Sequence, residues 1–200
     1  MKKILIASSI LMLASFSTNT TLTDAERKLA ITELTNSGEH LLNAVKGLSD
    51  VQLNFKASPE SWSVAEVTEH IAISEENIFA MMEGTLKEAA DSNRRSEIKM
   101  SDTQILDMIE DRTNKIKTQT AFEPTGKYGS FKKTLDAFRK KRKDHIKFVM
   151  KTKEDLRNHY AVLPFGTIDA FQVILFMSAH TERHIKQIGE VMANDSFPKN

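Results

Sequence analysis

Val173, Met177, His180, His184, Gln187 and Val191 follow one another at steps of three and four residues, with no proline in the run. Residues so spaced share one stripe of an α-helix, and this stripe is apolar at both ends. The same periodicity recurs at Ala30, Leu34, Leu41, Val45 and Leu48, and again at Leu135, Phe138, Ile146 and Val149. Four prolines and seven glycines in 200 residues leave few breaks, so long helices are favoured over many short strands. An all-α domain is expected, and a bundle is the simplest way for helices of this length to bury their stripes.

Start signals divide the chain. Thr23 with Glu26, Ser63 with Glu66 and Ser101 with Gln104 each form a capping-box pattern, and Trp62 with Val67 occupy the positions of a hydrophobic staple. Helices are expected at about 23–48, 64–89, 101–119, 131–150 and 168–193, the last capped by Thr167. One of the five is expected to be shorter or to pack across the end of a four-helix core. Ile105, Met108, Ile109 and Ile116 give the 101–119 segment its apolar edge. "DSNRRSEIKM" reads as a polar crossover, "TAFEPTGKYGS" as a loop, and "LPFG" as a helix stop.

The first residues belong outside that fold. Lys2 and Lys3 precede an apolar run, Ile4 to Ala14, and Ser15 and Ser17 suit positions −3 and −1 of a cleavage site. A signal peptide over 1–17 is expected, followed by a helical domain over 22–196 and a periplasmic or secreted destination. The apolar run is short for a membrane span. Without Lys2 and Lys3, the 28 basic residues fall to 26 against 27 acidic ones, a net charge of −1. That balance gives no reason to expect a nucleic-acid partner. A basic stretch from Lys132 to Lys153 reads first as a solvated helix face and only second as a patch for anionic surfaces.

The chain has no cysteine, so disulfides and thiolate chemistry are excluded, and any transition metal must be held by histidine and carboxylate. Of the six histidines, His40 falls on a polar face and is expected to be solvated. His145 is expected to pack or to be solvated, and His159 lies near a helix end, where it could face a pocket mouth. His180 and His184 differ. Imidazoles at i and i+4 can aim at one point, and two of them inside an apolar stripe must have their ring nitrogens satisfied. His70, two turns into the second helix, can be brought opposite them in a bundle. Three histidines on one ion or three separately hydrogen-bonded histidines are equally compatible with the spacing. Ser74, Asn77 and Gln187 could line the cavity, whereas Glu69 and Glu75 read as exposed salt-bridge partners.

The segments "LSDVQLNFKASPESWSVAEVTEHIAISEENIF" and "LPFGTIDAFQVILFMSAHTERHIKQIGEV" resemble the DinB-like (DinB/YfiT-type) family over nearly the whole mature length. Trp62, Ser63, Glu66, His70, His180, His184, Gln187 and Ile188 carry the resemblance. It implies a four-helix bundle with a long crossover between the second and third core helices. It also implies a divalent metal, commonly zinc or nickel, on His70, His180 and His184. Members include thiol-dependent transferases and isomerases and metal-dependent hydrolases. Export would remove this chain from cytoplasmic thiol pools, which argues against thiol transfer. The expectation is a metal-dependent hydrolase or transferase acting on a small molecule, with a non-enzymatic metal- or ligand-binding bundle as the alternative. No membrane span is expected after cleavage, and a homodimer is left open.

Overall fold

A computed structural model describes residues 21–199, so the leader expected at 1–17 lies outside the described residues. Four long helices form the body: α1 (Asp24–Ala44), α3 (Val64–Thr85), α5 (Phe131–Lys151) and α6 (Ala170–Met192). Two short ones, α2 (Asp50–Leu53) and α4 (Asp102–Glu110), lie between them. The Thr23, Ser63 and Ser101 boxes all form, each hydroxyl accepting from the backbone N–H three residues on while that residue's side chain accepts from the cap N–H. Trp62 and Val67 pack in the same apolar cluster, as a staple requires.

Helix directions follow from cross-helix pairs. His40 meets Glu182 and Ser37 meets Ser178, so α1 and α6 run the same way. His70 meets His184, and Thr85 at the end of α3 meets His159 just ahead of α6, so α3 is antiparallel to both. Glu75 meets Arg142 and Phe79 meets Phe148, which makes α5 parallel to α3. Two consecutive core helices running the same way require a return the length of the bundle. Residues 86–130 provide it, through a 3₁₀ turn at Ser92–Glu97 and through α4, which packs on α6. This is the expected four-helix bundle with its long crossover.

Four boundaries differ from the periodicity. α1 stops at Ala44 rather than near Leu48, because Gly47 turns the chain at φ +76°. α3 stops at Thr85 rather than near Ala89, where the Thr85 carbonyl takes up His159 Nδ1 at 3.0 Å. α4 stops at Glu110 rather than Gln119. Beyond it Asp111 folds its carboxylate onto Thr113 N–H at 2.9 Å, a local bond that competes with helix. Ile116 is the sole apolar residue from Asp111 to Thr118, and at 80% exposure it faces solvent, not the core.

The fourth difference is a β-hairpin. β1 (Tyr160–Leu163) pairs antiparallel with β2 (Gly166–Asp169) across Pro164 and Phe165, with Leu163 opposite Gly166. Gly166 sits at φ +135°, a region that side chains other than hydrogen avoid. Thr167 and Ile168 are therefore strand, and Asp169 caps α6 by accepting from Gln172 N–H at 2.8 Å.

The core has two apolar clusters. Leu34, Ile78, Val149 and Met177 belong to the one near the hairpin; Leu41, Val67, Ile71, Phe138 and Ile188 belong to the other. Between these positions every long helix contributes polar groups: Ser37, Glu75, Arg142 with His145, and Ser178 with Thr181, all buried. Among the described residues no helix is long and apolar enough to cross a membrane.

Candidate metal centre

Ser63 fixes where α3 begins, and from there His70 falls on the face that packs against α6. On α6, His180 and His184 lie one turn apart on the face that packs against α3. The antiparallel pairing of the two helices brings all three rings together. Ring centroids are 4.2 Å apart for His70 and His184, 4.4 Å for His180 and His184, and 5.1 Å for His70 and His180. One nitrogen from each imidazole lies within 4.8 Å of the other two. His70 and His184 are buried and His180 is partly open. Trp62 covers His70, with ring centroids 5.0 Å apart.

The hydrogen bonds behind the rings decide what the cluster can hold. His70 Nδ1 lies 2.7 Å from the Phe122 carbonyl, which can only accept, so Nδ1 carries the proton and Nε2 the lone pair. His184 Nδ1 lies 2.7 Å from Gln187 Oε1, and Arg112 Nη1 donates to that same oxygen at 3.4 Å. The His184 lone pair is therefore also on Nε2. The two Nε2 atoms face one another at 3.0 Å. Two lone pairs at that distance repel unless a cation lies beside both.

A proton is a poor candidate. Burial lowers the pKa of His70 against the Phe122 hydrogen bond. Burial and then the neighbouring His70 push His184 down to about 3, and burial with His184, His70 and Arg183 holds His180 well below the ordinary value. A divalent ion about 2.0–2.1 Å from each nitrogen spans N···N separations of roughly 2.9–3.4 Å at ligand angles of 90–109°. The donor set therefore fits a metal: three neutral imidazoles, with the lone pairs of His70 and His184 converging and their Nδ1 protons committed to outer partners, the usual arrangement around metal-bound histidine.

The segment beyond α4 supplies much of that outer shell. Instead of continuing as helix it runs across the site as a strap. Phe122 O holds His70, Ala121 O accepts from Asn77, and Arg112 pairs with Glu190 at 2.8 Å while reaching Gln187. Arg183 ties the strap down by donating to Asn114 O at 2.6 Å. Of the residues expected to line the cavity, Gln187 orients a ring, Asn77 binds the strap, and Ser74 is buried with no partner for Oγ among the described residues. The Phe122 carbonyl and Arg112 had no sequence signal: one is backbone, and the other lies in a segment whose periodicity suggested helix.

Two carboxylates differ from expectation. Glu69 is nearly buried, with Oε2 accepting from Gly126 N–H at 3.0 Å and Oε1 without a hydrogen-bond partner among the described residues. Glu75 is fully buried. Burial alone would raise its pKa, but the charge of Arg142 and hydrogen bonds from His145 and Arg142 lower it. The remaining histidines lie away from the cluster. His40 is exposed beside Glu182, His159 is buried against Thr85 O, and His145 is buried between Glu75 and Phe79. A polar depression of about 430 Å³ lined by Arg95, Asp102, Arg157 and Gln172 sits near the start of α6. Gln172 precedes His184 by twelve residues, about 18 Å along the helix. Arg157 there is already bonded to Glu26, Asp102 and Asp169.

A helical bundle with a long crossover and a cluster of three inward histidines defines the class. The chain belongs to the DinB superfamily, whose family model matches residues 33–188. It is 32% identical over 155 residues to the uncharacterized protein YuaE of Bacillus subtilis (strain 168), covering 74% of this chain and 88% of that protein. No solved structure gives a significant match.

Proposed function

We propose that the protein is an exported metalloprotein in which His70, His180 and His184 hold one divalent ion, zinc or nickel, and that it acts on a small molecule as a hydrolase or transferase. The observation that carries this reading is the pair of Nε2 lone pairs at 3.0 Å, each fixed by a donor bond on the far side of its ring. An ion held by three neutral ligands supplies Lewis acidity and lowers the pKa of a water it binds, to about 7 in zinc enzymes. The protein's part is orientation: Phe122 O and Gln187 aim two rings, Trp62 shields His70 from solvent, and the strap covers the outer shell. His180, the most accessible of the three, marks the side from which a ligand would approach.

The runner-up is a non-enzymatic metal- or ligand-binding bundle. It draws support from the absence, among the described residues, of any Asp or Glu joining the three histidines within ligand distance. A panel of ester, amide and lactone substrates, run with metal-loaded wild type and His180→Ala, separates the two. Turnover that depends on metal and on His180 supports the enzyme. Stoichiometric metal without turnover on the whole panel supports the binder.

A further inference from the structure

Midway along the bundle a charged cluster is buried among all four long helices. Arg142 of α5 grips Glu75 of α3 with two bonds, Nε to Oε1 at 2.8 Å and Nη2 to Oε2 at 2.7 Å. His145 adds a third bond to Oε1 at 2.8 Å, with its ring stacked on Phe79 at 3.8 Å and 9°. The same guanidinium reaches α1 through Leu34 O at 2.7 Å and Ser37 Oγ at 2.6 Å, and α6 through Thr181 Oγ1 at 2.9 Å. Ser37 is bonded in turn to Ser178 of α6 at 2.9 Å. Glu75 lies five residues beyond His70 on α3, and Thr181 follows His180 on α6.

We propose that Glu75, Arg142 and His145 are positioning residues for the metal centre, fixing the register of α3 against α6 and so the approach of His70 to His180 and His184. This rests on the metal reading above. Apolar contacts on either side are non-directional and tolerate sliding between helices. A planar guanidinium with five donors is not tolerant, because a bidentate carboxylate pair and three further acceptors are met in one arrangement only. A buried ion pair is a weak source of stability compared with apolar groups of similar volume, and selecting one arrangement is its best-attested use. The need is local: ligands must be held to about 0.5 Å for a metal site to work. Glu75 stands about 7.5 Å along α3 from His70, close enough for a shift in one to move the other.

The test is a triple variant, Glu75→Leu with Arg142→Met and His145→Leu, which leaves no buried charge without its partner. Beside it stands Arg142→Lys, which keeps the charge and loses the fork. Folding is followed by circular dichroism and thermal midpoint. The site is followed by zinc affinity in chelator competition and by the visible absorption of the cobalt-substituted protein. The expected result is a folded triple variant that binds zinc at least about ten-fold more weakly, with altered cobalt absorption. Arg142→Lys is expected to show the same split, so failure of the triple variant to fold leaves the decision with it. Wild-type affinity and spectrum in a folded variant overturn the positioning role alone. Wild type that takes up neither zinc, nickel nor cobalt overturns the metal reading, and this inference falls with it.

Discussion

At the scale of single residues, the three imidazoles are not equivalent to the other three. His70, His180 and His184 each bring one ring nitrogen within 4.8 Å of the other two, and His70 and His184 have outer partners as well, whereas His40, His145 and His159 each bond one carboxylate or carbonyl elsewhere. His70→Ala, His180→Ala and His184→Ala should each weaken zinc binding by more than about 100-fold in chelator competition. His40→Ala should leave it unchanged. Gln187→Ala, which removes the acceptor that His184 shares with Arg112, should weaken binding by about ten-fold. Protons compete for the same nitrogens. In the metal-free protein His184 stays neutral down to about 3, while in the unfolded chain it takes a proton near 6.5. The unfolded state therefore binds more protons throughout that window, and metal-free stability should fall as pH drops from 6.5 toward 3. Urea midpoints measured across this range should fall less steeply for His184→Ala than for wild type. Parallel curves would remove the buried neutral imidazole from the account.

At the scale of elements, the site depends on where α3 begins and on what the strap does. Ser63→Ala removes the cap two turns ahead of His70 and should lower stability by about 1 kcal/mol in denaturant titrations. Zinc affinity of the folded protein should change much less, because His70 is held at its far side by Phe122 O. Strap residues carry the opposite prediction. Metal binding immobilises the His70 ring, and with it Phe122, so amides of residues 120–126 should exchange more slowly with solvent after zinc is added. Unchanged protection there, against slowed exchange in α6, would separate the strap from the centre. These elements were unequally legible in the sequence. Caps at Thr23, Ser63 and Ser101 could be read directly, because a hydroxyl and its partner three residues on are a local signal. The strap could not: its structure comes from bonds to Gln187, Arg183 and His70 made across the bundle. The hairpin hid behind "LPFG", where a proline and a glycine fit both a helix stop and a tight strand connection.

At the scale of the whole molecule, two apolar clusters are joined through a polar layer, and the three-histidine cluster stands between that layer and the cluster around Val67 and Ile71. Amphipathic stripes made the bundle readable, and the motif around Trp62, Glu66 and His70 with the paired histidines of α6 made the meeting of the three histidines readable. Glu75 was misread as exposed because a lone glutamate on a helix gives no sign of an arginine meeting it from another. An ion bound only by the folded state should raise the thermal midpoint in a concentration-dependent way. The most direct test is metal stoichiometry by mass spectrometry, comparing wild type with the variant carrying both His180→Ala and His184→Ala. The structure predicts close to one divalent ion per wild-type chain and essentially none in the variant. Equal metal content in the two proteins would contradict it.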